Sequence, residues 1–166
     1  LSQTLRVTVP ENKEVTPGEF VTLVFRLESV QDTSLEASAT SALGWEILRQ
    51  PGTIDLTANQ AKPLALTLTI PHDAAAATTE TLTLKIGDEV PLNVNLTVKE
   101  LRNLEVQTPV DVILGKDVVR VLLTNKGNVT DEVKLSLVAT GEIVAERTLT
   151  LEPQSEHEEI FEVEHE

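Results

Sequence analysis

The chain has 166 residues, 40% of them hydrophobic and 24% charged, with 13 basic against 27 acidic residues for a formal net charge of -14. That balance excludes partners recognised through phosphate charge, nucleic acid and anionic lipid alike, because such binding needs an excess of cations. No run of about 18 apolar residues is present, so no helix of this segment spans a membrane, and the absence of Cys excludes thiol catalysis, disulfides and thiolate metal sites. Tyr is absent, with one Trp and three Phe, which leaves little aromatic surface for stacking on sugars or bases. The absence of Met, the initiator included, predicts a segment processed or cut from a longer polypeptide.

Taken in chain order, the predicted elements are strands. From Glu19 to Glu28, Val21, Leu23, Phe25 and Leu27 share one face and Thr22, Arg26 and Glu28 the other, with Val24 an apolar exception. From Pro63 to Pro71 the inner set is Leu64, Leu66, Leu68 and Ile70. Ala74 to Glu80 is too short and too Thr-ended for a helix and reads as a loop. From Glu89 to Lys99, Val90, Leu92, Val94, Leu96 and Val98 alternate with polar residues and Pro91. Period-two alternation marks half-buried strands of antiparallel sheets. Turn residues at Pro17-Gly18, Pro51-Gly52, Gly87-Asp88 and Lys126-Gly127-Asn128 separate them. Short strands at this spacing predict an all-β sandwich.

The pattern repeats. A shift of about 98 residues carries Val21, Leu23 and Phe25 onto Val119, Val121 and Leu123, and Leu35, Ala37 and Ala39 onto Val133, Leu135 and Leu137. Gly44-Trp45-Glu46-Ile47 then meets Gly141-Glu142-Ile143 without the Trp; at a slightly smaller shift Ile54 and Leu56 meet Leu149 and Leu151, and Leu66 and Leu68 meet Phe161 and Val163. Two tandem sandwich domains are expected, residues 1–100 and 101–166. Little Gly, Ser or Pro lies between the last strand of the first and the start of the second near Asn103, which predicts a stiff connection. Repeat one runs on through two further strands, Glu80 to Ile86 and Glu89 to Val98, that repeat two lacks up to Glu166. The second domain is therefore expected to be shorter, with an exposed sheet edge that invites pairing. Glu156, Glu158, Glu162, Glu164 and Glu166 would resist pairing by repulsion.

Three stretches carry a resemblance: VTPGEFVTLVFRL from Val15 to Leu27, GWEIL from Gly44 to Leu48, and IPHDA from Ile70 to Ala74. Together they resemble a prokaryotic immunoglobulin-like family first noted beside NPCBM carbohydrate-binding domains in alpha-galactosidases. LLTNKGNVTDEVKLSL from Leu122 to Leu137 is similar to the same superfamily or to its CARDB cell-adhesion relatives. The resemblance implies two immunoglobulin-like β-sandwich domains of an exported protein of the cell surface or envelope. It brings no catalytic residues.

The polar residues suggest no catalytic, cofactor or metal site. His72 has Asp73 beside it, but adjacent side chains of extended backbone point apart, and no glycine-flanked Ser offers a nucleophile elbow. His157-Glu158 opens like a zinc-binding HExxH, but Phe161 stands at the fifth position. Alternation places His157, Glu159 and His165 on one strand face, a conceivable weak metal site whose plainer reading is a solvated acidic end. Glu100, Glu105 and Asp111 near the domain junction are a conceivable calcium site, though no calcium-loop motif is present. Trp45 is placed on a mid-domain strand and expected to be buried rather than to serve as a sugar platform. The sequons at Asn95 and Asn128 matter only under eukaryotic secretion.

The expected function is therefore a non-catalytic spacer or adhesive module. Its partners would be other domains of its own polypeptide, and a protein or envelope polysaccharide. An accessory module of a carbohydrate-active enzyme, or a domain that binds partners by strand addition, is the alternative.

Overall fold

The computed structural model describes residues 4–113 and 116–164, with the side chains of 110–113, 116 and 164 left out. The chain is all-β and forms two tandem immunoglobulin-like sandwich domains, the second shorter. Contacts divide it into two compact units, Leu1–Lys99 and Glu100–Glu166.

Domain one holds β1 (Leu5–Thr8), β2 (Lys13–Val15), β3 (Phe20–Ser29), β4 (Thr33–Ser41), β5 (Gly52–Leu56), β6 (Lys62–Thr69), β7 (Thr79–Ile86) and β8 (Leu92–Val98). One sheet has the order β1-β3-β6 and the other β2-β8-β7-β4-β5. The alternation of Leu23, Phe25 and Leu27 sends all three inward to full burial, opposite Leu82, Leu84, Val94 and Leu96 of the facing sheet, which are equally buried. Burying side chains of this size contributes about 1.5–3 kcal/mol each, which is why the alternation decides the register.

Three details differ from the sequence reading. β8 begins at Leu92 rather than at Glu89: Val90 is exposed and Pro91, with no N–H to give a ladder, stands outside the strand. The short strands β1 and β2 escape the pattern because each carries only one or two inward residues. Trp45 is buried, but it lies in the irregular connection between β4 and β5, where only Ile47 makes a strand-like bridge, to Leu68. A side chain supports that connection. The carboxylate of Glu80 is fully buried and accepts from the backbone N–H groups of Ala42, at 2.7 Å, and Leu43, at 2.9 Å.

Domain two holds β9 (Leu104–Gln107), β10 (Val110–Ile113), β11 (Lys116–Asn125), β12 (Asp131–Ala139), β13 (Glu142–Leu151) and β14 (Ser155–Glu164). β14 pairs with one edge of β11 along its whole length, and β10 and β9 share the other. β12 and β13 form a separate two-stranded sheet. Register corrects part of the repeat. Leu66 pairs with Leu23 and Glu159 with Val121, so Leu66 corresponds to Glu159 and Leu68 to Phe161, two residues from the alignment drawn on sequence. Alternating strands tolerate such a slip because every second position looks alike.

Glu80→Ala should lower the stability of domain one by about 2–3 kcal/mol, since the Leu43 amide loses its acceptor. Glu80→Gln, whose single amide oxygen replaces two carboxylate oxygens, should fall between the two. Urea unfolding followed by Trp45 fluorescence measures both.

Candidate functional site

Domain one accounts for its polar candidates structurally. His72 lies against the Pro17-Gly18 turn. Gly18 has φ +81°, and a Cβ there would stand 2.6 Å from His72 Nδ1, so only glycine fits beneath the ring. The Gly18 amide donates to the Ile70 carbonyl at 3.0 Å, which closes the turn. Trp45 lines a shallow depression of about 300 Å³ with Leu43, Pro71, Asp73 and Ala74, but the residue is only 8% exposed, so little of its surface is open to solvent. A flat aromatic platform for a sugar is not offered there. Asn95 is exposed, and its side chain accepts from the Thr81 hydroxyl at 3.0 Å.

The junction candidates are also engaged. Glu100 pairs with Arg102, which also reaches Asp131, and Glu105 accepts from Lys126 at 2.9 Å. The hydrogen bond and charge of Glu100, followed by those of Asp131, hold the Arg102 guanidinium above its ordinary pKa. The Asp111 side chain lies outside the described residues.

The turn at Lys126 to Asn128 forms a clasp. Asn125 is fully buried, its amide donating to the carbonyls of Val129 at 2.9 Å and Leu151 at 3.1 Å while its oxygen accepts from the Gly127 N–H at 3.0 Å. The loop so shaped grips the incoming chain. Leu101 donates to Asn128 Oδ1 at 2.7 Å, and the Asn128 N–H returns a bond to the Leu101 carbonyl at 2.9 Å. A side chain at Gly127 would run into that carbonyl. Asn128 is thus a buried structural residue, and the sequon around it marks a clasp.

In β14 the alternation turns His157, Glu159 and Phe161 inward and Glu156, Glu158 and Glu162 outward, as the sequence pattern implies. His165 lies outside the described residues. His157 Nε2 stands 2.8 Å from Glu159 Oε1, but the next charged neighbour is a cation, Arg147 Nε at 4.0 Å from Glu159, with its guanidinium 5.4 Å above the Phe161 ring. An arginine at that position competes with a metal ion for the carboxylate. Among the described residues no three His, Asp or Glu side chains are grouped to hold a metal.

What distinguishes domain two is its inner face. Among the described residues, twenty-one buried apolar residues form the core of domain one, against four in domain two, Val121, Leu123, Leu151 and Phe161. Val133, Leu135 and Leu137 of β12, which the repeat places on Leu35, Ala37 and Ala39, point inward and are only half-buried. Leu104 and Val106 of β9 are exposed, whereas Leu5 and Val7 of β1 are buried. In domain one the corresponding region is roofed by β7 and β8, with Ala37 to Ser41 of β4 paired to Ile86 to Leu82 of β7. Among the described residues β12 has β13 on one side and nothing on the other. The acidic row expected to guard the open edge sits on β14. The unroofed edge is that of β12.

No protein-family model matches the chain, and no curated protein does. Solved structures with a similar fold include the class 5 fimbriae chaperone CfaA, at 10% identity and a TM-score of 0.43 over 92% of this chain and 84% of that one. The E. coli chaperone DraB matches at 15% identity and a TM-score of 0.40, over 93% and 83% of the two chains. The CsuC-CsuE chaperone-tip adhesion subunit complex of Acinetobacter baumannii matches at 12% identity and a TM-score of 0.38, over 98% and 88%. Likeness at this level carries no inference about what the chain does.

Asn125→Asp keeps the shape of the side chain but sets a carboxylate against the Val129 and Leu151 carbonyls. It should cost domain two about 2–4 kcal/mol. The check is denaturation followed by amide signals of each domain, with only those of domain two shifting.

Proposed function

We propose that the chain is a non-catalytic, load-bearing structural module of an exported prokaryotic cell-surface or envelope protein. The observation that carries this reading is the parallel pair β2–β8, with Lys13, Glu14 and Val15 opposite Leu96, Thr97 and Val98. The chain passes from the short strand β1, four residues paired with β3, into β2, and leaves domain one directly after β8, so that once β1 is drawn off, tension falls on β2 and β8. Because the two strands run in the same direction, tension between entry and exit slides one along the other. Their hydrogen bonds are then loaded together instead of being unzipped singly. The Lys99 N–H adds a bond to the Val15 carbonyl at 3.0 Å, and the Asn12 side chain accepts from the Asn95 N–H at 2.9 Å. The pair is clamped beyond both of its ends.

The absence of a catalytic arrangement around His72 or His157 fits the same reading, as does the resemblance to prokaryotic immunoglobulin-like and CARDB-like modules. Burial of Trp45 weighs against the alternative of a sugar-binding accessory module. The partners of such a module are the neighbouring domains of its own polypeptide and a surface protein or polysaccharide.

Single-molecule pulling on the intact chain tests the proposal. Domain one should unfold in one step at a higher force than domain two. Lys99→Pro, which removes the donor to Val15 and leaves the core alone, should lower the first force and not the second. Equal forces for the two domains, or a Lys99→Pro chain as resistant as the original, would contradict it.

A further inference from the structure

We propose that the outer face of the β3–β6 sheet of domain one docks on the same face of a second copy of this chain. The two sheets would stack with their strands antiparallel, related by a two-fold axis.

Register lays this face out in rows. Ile47 bridges Leu68, the Leu48 N–H donates to the Thr67 carbonyl and the Thr69 N–H to that of Glu46, so residues 46–48 extend the sheet beyond β6. Outward residues then align across the sheet as Phe20, Thr69 and Glu46, next as Thr22, Thr67 and Leu48, and next as Val24 and Ala65. Phe20 is 65% exposed, Val24 52% and Leu48 51%, and none of the three belongs to the core beneath. The hydroxyls of the middle row bond each other, Thr22 to Thr67 at 2.9 Å, so covering that row leaves neither without a partner.

The charges point to the occupant. Glu19 and Glu46 stand at the Phe20 end of the face. Arg26 follows Val24 on the outward side of β3, and Arg49 lines a depression with Ala65, which puts both cations at the other end. All four residues are exposed, and among the described residues none of their side chains has an ion-pair partner. Arg6 and Glu28, the other outward charges of β1 and β3, oppose each other in register. In a chain of net charge -14 this face is locally balanced, with acid at one end and base at the other.

Such a face matches itself when turned end for end. A half-turn about an axis along the Thr22–Thr67–Leu48 row sets Phe20 of one copy on Val24 of the other and Thr69 on Ala65. The same turn brings Glu46 to Arg49, Glu19 toward Arg26, and Leu48 onto its own counterpart. Because a two-fold contact uses one patch twice, each ion pair forms twice. Sheets stack face to face about 10 Å apart. Four strand widths of about 4.8 Å and eight residues of about 3.4 Å give a patch of roughly 500 Å² per copy. That is at the low end for a specific interface, so the dimer is weak and reversible.

The proposal stands apart from the load-bearing reading, which concerns β2 and β8, so either can fail alone. Sedimentation equilibrium of the intact chain in about 0.15 M salt, from about 10 µM to about 1 mM, should show a reversible monomer–dimer equilibrium. Amide shifts of the labelled chain should change with concentration in β3 and β6, and not in β4 or β12. Phe20→Lys, at an exposed position that leaves the core alone, should abolish association. Glu46→Arg and Arg49→Glu should each weaken it on the order of tenfold, because each sets two like-charged pairs face to face, and the doubly exchanged chain should regain it. Three results would overturn the proposal: a chain that stays monomeric throughout, association that survives Phe20→Lys, or a double exchange no better than the single ones. Shifts confined to β12 and β13 would do so as well, since the copies would then meet through domain two.

Discussion

The pairing of β4 with β7 is the constraint on which the architecture depends. Through it the hairpin β7–β8 is held over β1 and β3, and six large aliphatic side chains are turned into the core. The same hairpin supplies β8, the partner of β2, so closure of the core and the parallel pairing of β2 with β8 are one structural event. Glu80, at the start of β7, extends it into the loop that carries Trp45, because its carboxylate fixes the amides of Ala42 and Leu43. Register, core and loop geometry in domain one follow from a single strand pair.

Domain two shows the same frame without that pair. Its central strand β11, the long β14 and the β12–β13 hairpin match their counterparts, and the Asn125–Asn128 clasp fixes the chain where it enters. Its apolar cluster is small, and part of the face that should be interior is partly wet. Arg147, Glu159 and His157 occupy inward positions along the β13–β14 side, where domain one has Leu64 and Leu66 opposite β3. Charged groups that turn inward near a sheet edge disfavour further pairing there. Among the described residues the inward positions Val133, Leu135 and Leu137 of β12 carry no charged group.

The fold class was legible in the sequence because inward positions at Leu23, Phe25, Leu64, Leu66 and Leu96 repeat with the period of a strand. That no counterparts of β7 and β8 lie between residues 101 and 166 was legible for the same reason. Three things were not. The place of the open edge was hidden because alternation assigns faces and says nothing about neighbours; the acidic row of β14 was visible, but only the ladder shows that β12 is the strand left bare. The role of Glu80 was hidden because a buried carboxylate in an alternating strand looks like a fault in the pattern until its two amide donors are in view. Trp45 was assigned burial correctly and a strand wrongly, since its flanking Gly44 and Ile47 also suit a loop pinned by one bridge. His72 and the HExxH-like start at His157 drew attention by residue type; geometry sets the first against Gly18 and the second beside Glu159.

The most direct test of the central claim is native-state amide exchange across the intact chain, comparing β4 with β12. If pairing with β7 closes domain one and its absence leaves domain two open, amides on both sides of β4 exchange only with global unfolding of that domain. In β12 those facing β13 should be protected, and the alternate ones facing the free edge should exchange rapidly. Uniform protection along β12, equal to that of β4, would contradict the account.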